Sequence, residues 1–505
     1  MNRTFTIYFT SDIHGFFAPV DYATGKRAAT GLACCASQYV HDGNSLIIDG
    51  GDTLQGSPLT YYLYHGHHQG ACVPAQVMNL AGYDFITLGN HDFNFGKEET
   101  ARYLRESKAR CLCANVEGLA ETEKWTVVTL ENGLRIGMTG VVTHFVNLWE
   151  KPEHIEGLTI SDAFTAAKDA LAELKKQNVD LTVCIYHGGF EADISTGVHL
   201  AKTDDNQGWR ICHELDFDVL LCSHQHQAHS NLVIGGTNVC MNQNNARHFT
   251  KMEVRVEEAG NVTATSRQVN AGSDVLPVLD DYLTPLDARI QKWLDIPVGH
   301  LDVPLLPRDH MDMAANGSLI ANFFNQVQLE ASGADISCSC LANVVKGFNQ
   351  DVTIRDIVST YVFANTLKTI GVTRSILKIA LERCAEYFAF DENGQLTYGD
   401  SFVRPMIQHY NFDHFSGIQV TMDLRREIGD RVVSIQFRGQ ELAEDRQLKL
   451  ALNSYRASGA GGYEVYADCP LLRDQPTEIV EMIMEYVDTH KDITVDKSHW
   501  LKLIY

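Results

Sequence analysis

Carboxylates, imidazoles and one amide stand in five short clusters along the first half of the 505-residue chain: Asp12-Ile13-His14, Gly51-Asp52, Gly89-Asn90-His91-Asp92, His187-Gly188-Gly189 and His224-Gln225-His226. Such donors suit borderline or hard divalent cations, such as Mn, Fe, Zn, Co or Mg, and no thiolate interrupts them. Asp12 and His14 are two residues apart, as are His224 and His226, so an extended backbone points both members of each pair the same way. One such cluster alone is an ordinary polar strand end. Five in succession read as a two-metal hydrolase site.

Each cluster directly follows a short apolar run rich in β-branched or aromatic residues: Phe5 to Phe9, Ser45 to Asp49, Phe85 to Leu88, Leu181 to Tyr186 and Val219 to Cys222. These predict buried strands. Ligands of an open α/β sheet bind beyond the carboxyl ends of its strands, which places all five clusters on one rim.

With these residues in view, the segment from Thr10 to about Arg255 resembles the calcineurin-like metallophosphatases, in particular the 5'-nucleotidase and 2',3'-cyclic-nucleotide phosphodiesterase family. The resemblance also rests on the longer phrases running from Asp49 to Pro58 and from Gly89 to Gly96. It implies one metal held by Asp12, His14, Asp52 and His226 and a second held by Asp52, Asn90, His187 and His224, with Asp52 as the bridge. Two such cations, of a kind the sequence does not fix, would clamp the phosphoryl oxygens and acidify a shared water for in-line attack on phosphorus.

The resemblance also assigns His91 to transition-state stabilisation, and an imidazole there could protonate a departing ribose alkoxide. The family often orients this histidine with an Asp three residues later, where this chain has Asn94. Asp92 is then the carboxylate expected to serve beside His91. The wording around Asn94 tilts toward the cyclic-phosphodiesterase branch.

A chain of this length with 45% hydrophobic residues supplies more than one core. No uninterrupted apolar stretch approaches about 18 residues, so no transmembrane helix is expected. Met1 to Asp12 leads straight into the first strand, so no leader peptide is expected either, and the expected location is cytoplasmic. The thirteen cysteines lack zinc-finger spacing and read as reduced, buried thiols. A net charge of -23 excludes a general nucleic-acid surface but accepts a small anionic substrate over bound cations. No protein partner is inferred.

The expected fold class is α/β: a four-layered α/β metallophosphatase sandwich over residues 1–272, a linker helix over 273–300, and a mixed α/β C-terminal domain of the 5'-nucleotidase type over 301–505. Val275, Leu276, Leu279, Tyr282, Leu283, Leu286, Ile290 and Trp293 give the linker its helical spacing. In the C-terminal part the resemblance is carried by Asn316 to Asn322, Ser332 to Ile336, Phe363 to Leu367 and Asn453 to Tyr463. It implies two aromatic rings that sandwich the nucleobase, at Tyr455 and Phe412; a core role for Phe412 is the competing reading. Many relatives carry an Arg for phosphate just after the position of Asp335. The stretch Cys338 to Asn343 contains none, and spacing does not choose among Lys346, Arg355 and Arg404 as its replacement. The expected reaction is metal-dependent hydrolysis of 5'-nucleotides, 2',3'-cyclic nucleotides or both. The alternatives are a nucleotide-sugar or dinucleotide pyrophosphohydrolase and a noncatalytic nucleotide-binding scaffold.

Overall fold

A computed structural model describes residues 2–67, 70–199, 204–363, 365–404 and 407–505. The chain forms two compact units, residues 2–21 with 25–291 and residues 22–24 with 292–505.

The first unit is built on two mixed sheets. One runs in the order β13 (Val262–Asn270), β12 (His248–Val256), β1 (Arg3–Thr10), β2 (Ser45–Asp49), β3 (Phe85–Ile86), β4 (Arg110–Leu112) and β5 (Thr122–Glu123). The other runs β10 (His229–Ile234), β11 (Thr237–Met241), β9 (Val219–Cys222), β8 (Leu181–His187), β7 (Arg135–Val142) and β6 (Trp125–Thr129). Alternation along the strands explains why the sheets pair face to face. Phe5, Ile7 and Phe9 of β1 share one core with Ile136 and Met138 of β7, Leu181, Val183 and Ile185 of β8, and Val219 and Leu221 of β9.

The opposite faces are equally apolar. Cys184, Tyr186, Leu220 and Cys222 pack against a helix over Ala163–Leu174, which Asp162 caps by accepting from Thr165 N, and against a second over Gly208–Glu214. Strands buried on both faces read as unbroken hydrophobic runs, which is why β8 and β9 stood out in the sequence. Helices Val73–Ala81 and Lys97–Glu106 pack on one another and each buries one face.

One expectation needs correcting. The five metal-type clusters do not sit on the rim of a single sheet: three follow strands of the first sheet and two follow strands of the second. The parallel pairs β1 with β2, β2 with β3, β7 with β8 and β8 with β9 nevertheless bring their carboxyl ends to one side of the sandwich.

Within the linker expected over 273–300 the helix spans Pro277–Leu294, its start set by Pro277 in a first turn that needs no amide donor. The second unit contains a five-stranded sheet ordered Asp413–Ser416, Ile336–Cys340, Leu448–Asn453, Thr366–Val372 and Leu471–Glu478. A four-stranded sheet adds Gln440–Glu441, Val432–Phe437, Ile418–Asp423 and Leu501–Ile504. Their shared core includes Leu377, Leu381 and Cys384 of helix Arg374–Ala385. Among the described residues no helix is long and apolar enough to cross a membrane.

Candidate metal centre

The loops after β1 and β2 are laced together by backbone bonds, Asp12 N to Gly51 O and His14 N to Asp52 O, both 2.8 Å. The loop after β3 approaches just as closely: a Cβ on Gly51, at φ +89°, would lie 2.4 Å from Gly89 N, and one on Gly89 would lie 2.2 Å from Asp52 Oδ1. Only glycine allows these segments to meet.

Five of the seven expected ligands adopt left-handed backbone, Asp12, His14, Asp52, His224 and His226, with φ between 50° and 73°. Asp and His tolerate this region better than most residues, yet each costs roughly 1 kcal/mol. Strain gathered this densely marks the loops as shaped for the direction of their side chains.

Those side chains converge in two groups. Asp12, His14, Asp52 and His226 each offer one donor atom within 4.8 Å of the others, and so do Asp52, His187 and His224. Asp52 belongs to both. In the first group His14 Nε2 lies 3.1 Å from His226 Nε2 and 3.9 Å from Asp52 Oδ2, and His226 Nε2 lies 3.4 Å from Asp12 Oδ1. In the second, His187 Nε2 lies 3.2 Å from both Asp52 Oδ2 and Asn90 Oδ1.

Backbone carbonyls set the imidazole tautomers. His14 Nδ1 donates to Gln55 O at 2.8 Å and His187 Nδ1 donates to Gly50 O at 2.6 Å. Each ring therefore turns an Nε2 lone pair into the centre, the arrangement that metal-bound histidines use. The two imidazole nitrogens 3.1 Å apart need either a proton or a cation between them, and the acidic groups beside them supply charge and hard oxygen donors. The donor set fits two divalent ions.

Electrostatics follow from burial and proximity. Burial pushes His14 down to about 4 and His224 down to about 3, so both are neutral donors near neutral pH. Burial opposes charge on His187 as well, but the Asp52 carboxylate prevails and pushes it up to about 10. Burial alone would raise Asp52, yet His187, His91 and His14 together hold it well below the usual carboxylate range. A cation bound between Asp52 and His187 thus competes with a proton.

His91 stands at the edge of this centre, its ring centroid 5.4 Å from that of His14. Its backbone N donates to Asp52 Oδ1 at 2.7 Å, so the carboxylate shared by both donor groups also fixes the residue beside it. Its Nδ1 is bonded to Asn94 Oδ1 at 2.7 Å.

Asp92 is placed differently from its expected catalytic role beside His91. Its side chain is fully buried and accepts from four backbone amides: Asp52 N and Gly89 N on one oxygen, Thr53 N and Leu54 N on the other, at 2.8 to 3.0 Å. It is a clasp between the loops after β2 and β3. The 3-10 turn over Asn90–Phe93 points successive side chains in different directions, and Asp92 points away from His91.

Phe412 likewise departs from the stacking role expected for it. It is 1% exposed and packs in the core against Tyr387, Phe388 and His414. Tyr455, on a short helix over Ser454–Ala457, is 40% exposed. Beneath it Arg456 is buried and ion-paired with both oxygens of Asp413 at 2.9 to 3.1 Å. Its guanidinium also donates to Ala460 O and Tyr410 O, which ties the Gly-rich turn to the segment before Asp413–Ser416. Of the three candidate basic residues, Arg355 is engaged by Asp295, while Lys346 and Arg404 are exposed.

Two neighbours of the centre escaped the sequence reading. Trp149 stacks on His224 with centroids 5.4 Å apart and an interplanar angle of 18°, and Glu150 accepts from Asn94. Both follow β7, whose last residue Val142 is in register with His187 of β8. The apolar run ending there at Thr143-His144 was a sixth strand end of the same kind.

Two family models match the chain, calcineurin-like phosphoesterase over residues 5–228 and 5'-nucleotidase, C-terminal domain, over residues 297–468. The trifunctional nucleotide phosphoesterase protein YfkN of Bacillus subtilis is 21% identical, over 97% of this chain and 38% of its own length, so the chain spans well under half of that relative. A 2',3'-cyclic-nucleotide 2'-phosphodiesterase/3'-nucleotidase of Haemophilus influenzae is 22% identical, over 95% of this chain and 83% of its own. Among solved structures, a Staphylococcus aureus protein described as a 5'-nucleotidase, in complex with alpha-ketoglutarate, is 29% identical with a TM-score of 0.69, and the match covers 100% of both chains.

Proposed function

Because the chain belongs to the calcineurin-like phosphoesterases that carry a 5'-nucleotidase C-terminal domain, we propose that it hydrolyses nucleotide phosphoesters, either 5'-nucleotides or 2',3'-cyclic nucleotides. The observation that carries this reading is the pair of donor groups sharing Asp52, with His91 held at their edge by that same carboxylate.

Asp12, His14, Asp52 and His226 would hold one cation, and Asp52, Asn90, His187 and His224 the other. Two bound divalent ions supply Lewis-acid polarisation of the phosphoryl group and lower the pKa of an attacking water. The chain does the rest. Its carbonyls at Gly50 and Gln55 keep the imidazoles in the donating tautomer. His91 keeps one proton on Nδ1, directed at Asn94, and as the imidazolium carries a second on Nε2, which would stabilise the phosphoryl oxygens and pass to the departing oxygen. Tyr455 offers a face on which any base stacks. The thirteen cysteines are all free and buried, which favours a reducing compartment such as the cytoplasm.

The test is turnover of AMP, 2',3'-cyclic AMP, UDP-glucose and p-nitrophenyl phosphate by Mn-loaded protein, with and without chelator. Chelator-sensitive hydrolysis of AMP or cyclic AMP is expected. A preference for UDP-glucose would transfer the reading to pyrophosphate substrates, and turnover indifferent to chelator would overturn it. Tyr455→Ala should raise KM for nucleotides and spare that for p-nitrophenyl phosphate.

A further inference from the structure

An amide is an ambiguous partner for an imidazole. Its oxygen accepts, its nitrogen donates, and a half-turn exchanges them. The bond between Asn94 and His91 therefore has a direction only if something else fixes the amide.

Glu150 fixes it. Asn94 Nδ2 donates to Glu150 Oε2 at 2.5 Å, while Asn94 Oδ1 faces His91 Nδ1 at 2.7 Å. An ionised carboxylate only accepts, so the NH2 end must face Glu150 and the oxygen must face His91. The histidine proton then belongs on Nδ1. The carboxylate is itself held: Oε1 accepts from Lys151 N at 2.7 Å and lies 2.8 Å from His154 Nδ1, and the side chain is 6% exposed. Its backbone closes the short helix over Val146–Trp149 by donating to Val146 O at 2.9 Å. The whole chain from His91 through Asn94 and Glu150 to His154 lies within the first unit.

We propose that Glu150 is a positioning residue for the reaction: acting through Asn94, it holds an acceptor against His91 Nδ1–H, which supports the imidazolium and leaves its second proton, on Nε2, as the one passed to the departing oxygen while the ring returns to the neutral Nδ1–H form. This rests on the assignment of His91 as the group that meets that oxygen.

Glu150→Gln tests it with little change of shape. Lys151 N claims the one oxygen left at position 150, so the new NH2 turns toward Asn94 and reverses its amide, setting a donor against His91. For AMP, whose departing alkoxide needs a proton, kcat should fall about tenfold or more, at unchanged KM and metal content. For p-nitrophenyl phosphate, whose phenolate leaves without one, the loss should stay under about threefold. Asn94→Asp combined with Glu150→Gln places a carboxylate directly against His91 and should recover kcat for AMP to within about threefold of the unmodified protein. A single variant with unaltered kcat, equal losses on both substrates, or a double variant that recovers nothing would each overturn the proposal. If the unmodified protein hydrolyses neither substrate, the nucleotide reading fails and this inference falls with it. If it does hydrolyse them and only the Glu150 variants behave otherwise, the failure belongs to this inference alone.

Discussion

Asp92→Asn separates a structural clasp from a catalytic group. The carboxylate accepts from four buried backbone amides, two per oxygen. Asparagine keeps one oxygen and turns an NH2 toward the other pair, so two amides lose charged partners worth roughly 1.5 to 3 kcal/mol each and face a donor instead. An opposing effect exists: burial and the nearby charge of Asp52 push Asp92 up to about 6, and the substitution removes that unfavourable ionisation. The net loss in the metal-free protein should be up to roughly 3 kcal/mol at pH 8, where the carboxylate is ionised. Cations that neutralise Asp52 remove the compensation, so the loss should be larger in the loaded protein. Because the clasp joins the loops that carry Asp52 and Asn90, affinity for both ions should drop although Asp92 touches neither. The assay is urea unfolding with and without chelator, alongside metal stoichiometry and kcat at saturating Mn. A variant with unchanged unfolding midpoint and metal content but kcat lowered a hundredfold would refute this reasoning and return Asp92 to the reaction.

Asp52→Asn, by removing the carboxylate common to both donor groups, should lower metal affinity and turnover together by well over about a hundredfold, beyond the loss expected for an outer-shell partner alone. His91→Ala should leave both ions bound and cost about 10² to 10⁴ in kcat; elemental analysis beside steady-state kinetics distinguishes the two variants. In the second unit, burial, then His310 and His499, push His414 down to about 3, and its Nδ1 finds no partner among the described residues. The unfolded chain takes up a proton below its ordinary value of 6.5 while the folded chain does not. Stability should therefore fall by about 1.4 kcal/mol per pH unit between 6.5 and about 3, and His414→Leu should flatten that slope in acid-unfolding experiments.

The strand ends were legible because parallel strands buried on both faces leave continuous apolar runs, and β2 and β9 begin and end at the residues their composition marks. What the runs do not carry is their partners. Sheet membership depends on pairings such as β1 with β12, some 240 residues away, whose alternating pattern is equally compatible with either sheet. The same limit explains Phe412. Its apolar ring suits a core and a base alike, and only the packing of Tyr387 and Trp500 around it decides for the core.

Within the centre, residue type was readable and second neighbours were not. Asp12, His14 and Asp52 announce donor chemistry, but the carbonyls of Gly50 and Gln55 that aim the imidazoles have no side-chain signature at all. Asp92 and Asn94 expose the difference most clearly. By spacing, the carboxylate next to His91 is the better orienting group and the amide three residues on is a loss. In the fold the 3-10 turn sends Asp92 to the backbone of the neighbouring loop, and the charge that the amide lacks is restored by Glu150, which reaches Asn94 from 56 residues further along the chain. A substitution that looks like weakened catalysis in one dimension is thus a displaced carboxylate in three. An Asn at this position should therefore be functional only in chains whose β7 loop supplies an acceptor to its NH2, and an Asp should need no such neighbour.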